Sequence, residues 1–408
     1  MDWNDSPSEA AFRSQVRALI EEHLPERYRA LATLPHEGER VWEFDRKAEE
    51  PERREAAAQW ASALSDRNWV APGWPEEYGG GGLSQIEQFV FNQELASFGA
   101  PAVGGSGVKM LGPTLILNGT EEQKREHLPK ILSGEMTWAQ GFSEPGSGSD
   151  LASLQTRATR DGDDFVINGQ KIWTSGAHTA ERIFALVRTD PEAPKHKGIT
   201  FLIFDIKSPG VSVSPLVDMT WSHYFNETFF DDVRVPVAGS VVGEENRGWY
   251  VSMTLLDFER SNISGAVQVR RTLRRLVDEW KTGDGRATMR LDRDPTLRTE
   301  IADRYIESEV QFQFAFRIIS MQNAGVVPNY EASTGKLYNS ELAQRVAQTG
   351  VKTFGLYGNL WDEERAGAPM YTSFARSYLR AVPATIRGGT SEIQRNIIAT
   401  RGLGLPRG

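Results

Sequence analysis

Gly141-Phe-Ser-Glu-Pro-Gly-Ser-Gly-Ser-Asp150 and Asn168-Gly-Gln-Lys-Ile-Trp-Thr-Ser175 bracket the stretch whose reading decides the fold. Between them the chain spells strand, turn, strand: Gln155-Thr-Arg-Ala-Thr159, then Asp161-Gly-Asp-Asp164, then Phe165-Val-Ile167, with Asn168-Gly169 expected as a second tight hairpin turn. Hairpins return the chain to its starting edge. Phe142-Ser143 is therefore expected beside Trp173-Thr-Ser175, so that backbone N–H groups, small hydroxyls and an indole plane face one flat, polar, heteroaromatic ligand. Spacing alone fits a surface hairpin with flexible, turn-rich ends and a core Trp173 at least as well.

On either side of this stretch the hydrophobic period changes. From Ser8 to about Ile131 apolar residues return every three or four positions, as in Ala11-Phe-Arg-Ser-Gln-Val-Arg-Ala-Leu-Ile20, which predicts helices. Pro72-Gly-Trp-Pro75 and Tyr78-Gly-Gly-Gly-Gly-Leu83 break them, the glycine run reading as a linker, and Thr120-Glu-Glu-Gln123 is a capping box that starts another. From Met136 to about Val242 the period shortens to strands: Arg182–Val187, Ile199–Phe204, Val211–Ser214, Thr228–Phe230 and Val233–Pro236. Past Gly243 the helical period returns in long segments, such as Leu297 to Ala324 and Ser333 to Phe354. The expectation is an α+β multidomain chain: an N-terminal helical domain over 1–133, a middle β-barrel or β-sandwich domain over 134–245, and a C-terminal antiparallel four-helix bundle over 246–408. Lys281 to Pro295, rich in polar residues, reads as a long mobile loop. Neither alternating strand–helix units nor a Gly-x-Gly-x-x-Gly turn is present, which argues against a Rossmann arrangement.

Composition narrows the chemistry. With no cysteine among 408 residues there is no disulfide, thiolate ligand or cysteine nucleophile. The six histidines (His23, His36, His127, His178, His196, His223) are scattered, with no pair at ligand spacing, so no metal is expected. A net charge of −9 lacks the basic footprint that nucleic acid requires. No run of about 18 apolar residues spans a membrane, and Met1-Asp-Trp-Asn-Asp-Ser6 has no signal-peptide character; a cytoplasmic protein is expected.

The two quoted segments, and nearly the whole chain with them, resemble the acyl-CoA dehydrogenases, FAD-dependent enzymes that oxidise acyl-CoA thioesters to trans-2-enoyl-CoA, as in fatty acid β-oxidation. Gly73-Trp-Pro75 and Tyr78-Gly-Gly80 resemble a further family segment between amino-terminal helices. In that family the flavin lies in a crevice between the β domain and the carboxy-terminal bundle, with its adenosine end at a neighbouring subunit. The resemblance therefore implies a tetramer. Carried over position by position, Phe142 and Ser143 line the flavin pyrimidine edge, Ser149 lies nearer the pyrophosphate, Trp173 flanks the ring and Ser175 lies near N5. Thr390 and Glu392 contact the ribityl and diphosphate portion.

The family's reaction needs a carboxylate to take the α-proton and donors for the thioester oxygen. Most members carry the carboxylate in a late Tyr-Glu-Gly-Thr-Ser segment. Here the matching residues are Ile386-Arg-Gly-Gly-Thr-Ser391, so Gly388 stands at the glutamate position, although its amide can still donate to the thioester oxygen. Isovaleryl-type and long-chain-type members place the base just before an arginine on an earlier helix. Leu256-Asp-Phe-Glu-Arg-Ser261 matches that location, which makes Glu259 the expected base and Arg260 a residue of the acyl-CoA channel; an ordinary Glu–Arg surface pair is the plainer reading, and Asp257 is a weaker alternative.

At the adenosine end the resemblance thins. The family's Arg-x-x-Phe-Gly motif has no match around Trp280–Ala287, and its Gln-x-x-Gly-Gly segment appears as Lys352-Thr-Phe-Gly-Leu356 with one glycine. Similar departures occur in actinobacterial relatives acting on sterol side chains, some built from two different subunits. The expected partners are thus an acyl-CoA, an electron-transfer flavoprotein as acceptor, and either further copies (a homotetramer) or a related subunit (a heterotetramer). Two other readings stay open: a flavin monooxygenase or oxidase on the same scaffold, and a subunit that completes a partner's site.

Overall fold

A computed structural model describes residues 5–33, 40–258, 263–282, 289–362 and 368–406. Helices open the chain: α1 (Pro7–His23), α2 (Glu26–Thr33), α3 (Val41–Asp45), α4 (Pro51–Ser65), α5 (Gln85–Phe98), α6 (Gly112–Asn118) and α7 (Glu121–Leu132). Ser6, Ser84 and Thr120 each head a complete capping box, in which the side chain accepts from the third residue's N–H and that residue's side chain reaches back. The expected glycine linker is instead a packed turn. Gly79 caps the preceding turn at φ 79°, and a Cβ on Gly80 would fall on the Trp74 main chain.

Strands follow: β1 (Trp138–Gly141), β2 (Arg157–Asp161), β3 (Asp164–Lys171), β4 (Arg182–Arg188), β5 (Ile199–Asp205), β6 (Val211–Val217) and β7 (His223–Pro236). They form one mixed sheet in the order β1-β4-β2-β3-β7-β6, with β5 on β4. β1 runs parallel to residues 182–185 of β4, and β2 meets β4 through Arg157 and Arg188, so β1 and β2 follow one another along one edge while β5 takes the other. This branching curls the sheet around Ala139, Phe165, Ile167, Ile183, Leu202 and Val233. Residues 183–187 of β4 and 199–204 of β5 are buried on both faces, which explains their unbroken apolar runs.

The structure corrects one turn and joins two strands. Gly162, at φ 62°, makes the expected hairpin between β2 and β3. Asn168-Gly169 is not a turn: β3 runs straight through it to Lys171, and the register against β7 slips there in a β-bulge, with Gly169 at φ 145° against Thr156. Thr228–Phe230 and Val233–Pro236, read as separate strands, are one strand, with Asp232 at φ 49° inside it.

After α8 (Val237–Ser240) and α9 (Gly248–Phe258) come the long helices α10 (Ile263–Thr282), α11 (Pro295–Asn323) and α12 (Tyr330–Phe354), then α13 (Ser373–Arg380) and α14 (Ser391–Ile397). The six residues between α11 and α12 are short enough to make them antiparallel neighbours. Phe89 of α5 joins the same packing, in a cluster with Ile263, Ala266, Phe312, Ala315 and Ile319. Residues 283–288 of the polar stretch expected as a loop lie outside the described residues; beyond them Met289 and Leu291 are buried with Leu276, Leu297 and Phe354. Among the described residues no helix is long and apolar enough to cross a membrane.

Two compact units share the chain alternately. One, mainly helical, takes residues 1–41, 83–101 and 260–408; the other, containing the sheet, takes 42–82 and 102–259.

Candidate active site

In the sheet unit, β1 ends at Gly141 and the next residues are held by a buried ion pair. The Glu144 carboxylate accepts from the N–H groups of Gln155 (2.6 Å) and Thr156 (2.9 Å) and from Lys171 Nζ (2.7 Å). Lys171 has no solvent exposure and also donates to the Phe142 carbonyl at 3.2 Å. Burial is the largest influence on both groups: it pulls the ammonium down to about 8 against the attraction of Glu144. It would raise Glu144, but the Lys171 charge and the donated hydrogen bonds outweigh it and hold the carboxylate below its ordinary value.

This pair fastens the Phe142–Ser143 loop to the root of the β2–β3 hairpin. Ile172 N–H then donates to Ser143 O at 2.9 Å, so the two ends of the opening stretch lie side by side as expected. A single hairpin achieves it. Phe142 does not turn its ring outward: the ring is buried edge-on against Phe184 and Phe201, with centroids 5.9 and 6.0 Å away, and its carbonyl is taken by Lys171, so any polar contact from Phe142 to a ligand falls to its N–H. Ser143 and Ser175 are half-buried, and Ser149 is exposed.

Trp173 is the distinctive residue here. It is 54% exposed, its φ is 60°, and its ring stands edge-on to Phe225 at 5.6 Å. The left-handed region is an outlier for so bulky a side chain, with a cost of roughly 1–3 kcal/mol. A change of register explains it. Lys171 is paired with Thr228, yet Thr174 N–H bonds to Asn226 O (3.0 Å) and Gly176 N–H to Tyr224 O (3.0 Å), one position out of step. Trp173 belongs to the extra residue that this slip ejects from the ladder. The neighbouring Thr174 Oγ1 is buried without a partner among the described residues.

In the helical unit, the residues carried over from the late segment form a tight turn ahead of α14. Gly388 and Gly389 have φ of 62° and 86°. Their carbonyls are held by side chains that the sequence reading did not single out. Lys336 Nζ donates to Gly389 O (2.6 Å) and Ala384 O (3.2 Å), while Gln394 Nε2 donates to Gly388 O (3.1 Å) and Gly389 O (3.3 Å). Burial first, then Arg387, lowers the Lys336 ammonium from its usual value. Gly388 itself is exposed, and a Cβ there meets no atom of the described residues within 4 Å. Thr390 caps α14 by accepting from Ile393 N–H at 3.2 Å. Glu392 is exposed, and its own N–H and the Thr390 hydroxyl hold its carboxyl below the ordinary value. Both residues line a shallow cavity of about 430 Å³ together with Gln344, Arg345 and Arg395.

Glu259 and Arg260 lie outside the described residues, just beyond the end of α9 at Phe258. Among the described residues no group of histidines and carboxylates could hold a metal ion. The Glu144–Lys171 pair and the Lys336 contact escaped the sequence reading because each depends on partners well separated along the chain.

Three family models match successive parts of the chain: Acyl-CoA dehydrogenase, N-terminal domain, over residues 6–135; middle domain, over 139–233; and C-terminal domain, over 246–403. The chain is 37% identical over 399 residues to the acyl-CoA dehydrogenase IpdE1 of Mycobacterium tuberculosis, covering 97% of each chain. Among solved structures it is similar to the Tcur3481-Tcur3483 steroid ACAD, with a TM-score of 0.83 and 36% identity over 100% of both chains. It is also similar to the ChsE4-ChsE5 complex of Mycobacterium tuberculosis, with a TM-score of 0.79 and 33% identity over 100% of both chains.

Proposed function

Because the chain belongs to the acyl-CoA dehydrogenase family, oxidoreductases acting on CH–CH bonds, we propose that it uses FAD to convert an acyl-CoA thioester to the trans-2-enoyl-CoA, with Glu259 taking the α-proton. The observation that carries this reading is the bonded juxtaposition of Ser143 with the Ile172–Ser175 segment around an exposed, strained Trp173. These residues fit a flavin. The Trp173 indole is more than half exposed, half-buried Ser143 and Ser175 belong to the two bonded segments beside it, and the main chain of Phe142 and Ser143 is fixed by a buried ion pair.

When bound, FAD supplies the hydride acceptor, its N5. The chain's own residues do the rest. Glu259 accepts the proton from the thioester α-carbon, which requires a desolvated setting that lifts a carboxyl from about 4.3 toward roughly 6 or 7. The Gly388 N–H donates to the thioester oxygen as negative charge gathers there. Arg260 lines the acyl-CoA channel, Trp173 and Ser175 hold the ring, Ser149 serves the pyrophosphate, and Thr390 and Glu392 serve the ribityl and diphosphate portion. An electron-transfer flavoprotein is the proposed acceptor, and the cytoplasm the proposed compartment.

Replacing Glu259→Gln tests the assignment. The variant should keep its flavin while anaerobic reduction by acyl-CoA slows by roughly 10²- to 10⁴-fold; unchanged reduction would remove Glu259 from the mechanism. A panel of straight, branched and steroid-derived acyl-CoAs identifies the substrate class in the same experiment.

A second reading concerns assembly. One of the similar structures is named as a complex, ChsE4-ChsE5, and another carries two joined names, Tcur3481-Tcur3483, and is named a steroid ACAD. These names, with the unmatched adenosine-end motifs, support a heterotetramer of this chain with a related subunit, acting on a steroid-derived acyl-CoA. Native mass spectrometry after co-expression with such a subunit should then show mixed tetramers; tetramers of this chain alone, carrying full flavin, favour the homotetramer.

A further inference from the structure

We propose that Asn226 is the positioning residue of the Trp173 platform, its side chain completing the β-bulge that holds the indole outward. The inference rests on the flavin reading for its consequence, but its geometry stands on the chain alone.

Asn226 lies on β7 with no solvent exposure. Its main-chain oxygen accepts from Thr174 N–H, and its side-chain Nδ2 donates to Thr174 O at 3.0 Å. One residue therefore satisfies both peptide groups of the residue that follows Trp173. On the other side, Ile172 N–H is tied to Ser143 O. The strained φ of Trp173 is thus enclosed by fixed neighbours, and relaxing it would break bonds to a buried side chain.

The orientation of that side chain is itself fixed. Only the amide nitrogen can face the Thr174 carbonyl, so Oδ1 faces His223 Nε2, at 2.9 Å, and Nδ2 also faces His178 Nδ1, at 3.1 Å. It follows that His223 carries its proton on Nε2 and that His178 Nδ1 accepts. The two imidazoles stack with centroids 4.0 Å apart, and Phe44 stacks on His178 at 5.6 Å. Asn226, His178 and His223 form a polar clasp behind the platform, with no direct role in proton or hydride movement.

The test begins without flavin. In apoprotein labelled with 5-fluorotryptophan, Trp173→Phe assigns one ¹⁹F resonance among the eleven tryptophans. Asn226→Ala should shift and broaden that resonance while the others hold their positions. Should the alanine variant fail to fold, Asn226→Asp keeps the shape and the His223 bond but cannot donate to Thr174. Asn168→Ala is the control: it also removes side-chain bonds between β3 and β7, to Asp232, and should lower the melting temperature without moving the Trp173 signal. An unmoved Trp173 resonance in a folded Asn226 variant overturns the proposal. Titration with FAD then reads the consequence, a dissociation constant raised tenfold or more. A displaced Trp173 with unchanged FAD affinity would uphold the clasp and count against the flavin reading of this segment.

Discussion

Lys171 shows how one residue can set the precision of a loop it does not belong to. Its ammonium is buried against Glu144, and that carboxylate already accepts two backbone N–H bonds. Lys171→Met leaves an uncompensated buried carboxylate, and should lower the unfolding free energy by about 3–5 kcal/mol; chemical denaturation checks it. The Glu144→Gln, Lys171→Met double variant should recover much of that loss, because both charges go together. The glycine pair ahead of α14 allows a subtler comparison. Gly388→Ala meets no atom of the described residues and loses mainly the freedom of a positive φ, roughly 1 kcal/mol, whereas Gly389→Ala also pushes on the Gln394 amide and should destabilise more. Thermal melts of both variants check the order. Trp173 and Ser143 were legible in the sequence because they sit in short segments of distinctive composition. Asn226 was not, because nothing local to Phe225-Asn226-Glu227 announces a bond to a residue 52 positions earlier.

At the level of elements, the strands and long helices were legible wherever the period was clear, as in β4, β5, α11 and α12. Asn168-Gly169 misled because the same dipeptide suits a turn and a bulge, and only the pairing with β7 distinguishes them. The bulge makes Gly169 a demanding position: at φ 145°, an added Cβ would stand 2.7 Å from Thr156 Cα. Gly169→Ala should therefore cost roughly 1–3 kcal/mol, measured by urea unfolding. A local hairpin turn would tolerate the change far better. The glycine run after Tyr78 teaches the converse, since a stretch that composition reads as loose is packed against Trp74.

For the molecule as a whole, acid should act in two stages. His127 is buried edge-on to Trp138, and burial above all, against the attraction of Glu126, takes it down to about 4. The unfolded chain binds this proton at the ordinary value near 6.5. Stability from the neutral imidazole is therefore complete above about 6.5 and declines as pH falls toward 4, by up to about 3 kcal/mol. Glu181 acts lower. Burial would raise its carboxyl, but Lys47, the Thr137 N–H and Arg46 hold it at about 2, so its contribution is lost from about 4.5 downward. Melting temperatures of His127→Gln should flatten the first stage and leave the second. The three-part family organisation was legible from the change of period along the chain, whereas the alternation of two compact units was not, because it depends on which helices meet.

That alternation has a consequence in time. During synthesis the sheet unit has all its residues once position 259 has emerged, and can close early. Phe89 on α5 has no such prospect, since Phe312, Ala315 and Ile319 are made more than 200 residues later. At about 5–20 residues per second, that apolar face waits roughly 10–40 s for its own partners. Helices α1, α2 and α5 are thus among the first made and the last sheltered, and the nascent chain depends on transient shielding, by a chaperone or by non-native collapse, while they wait.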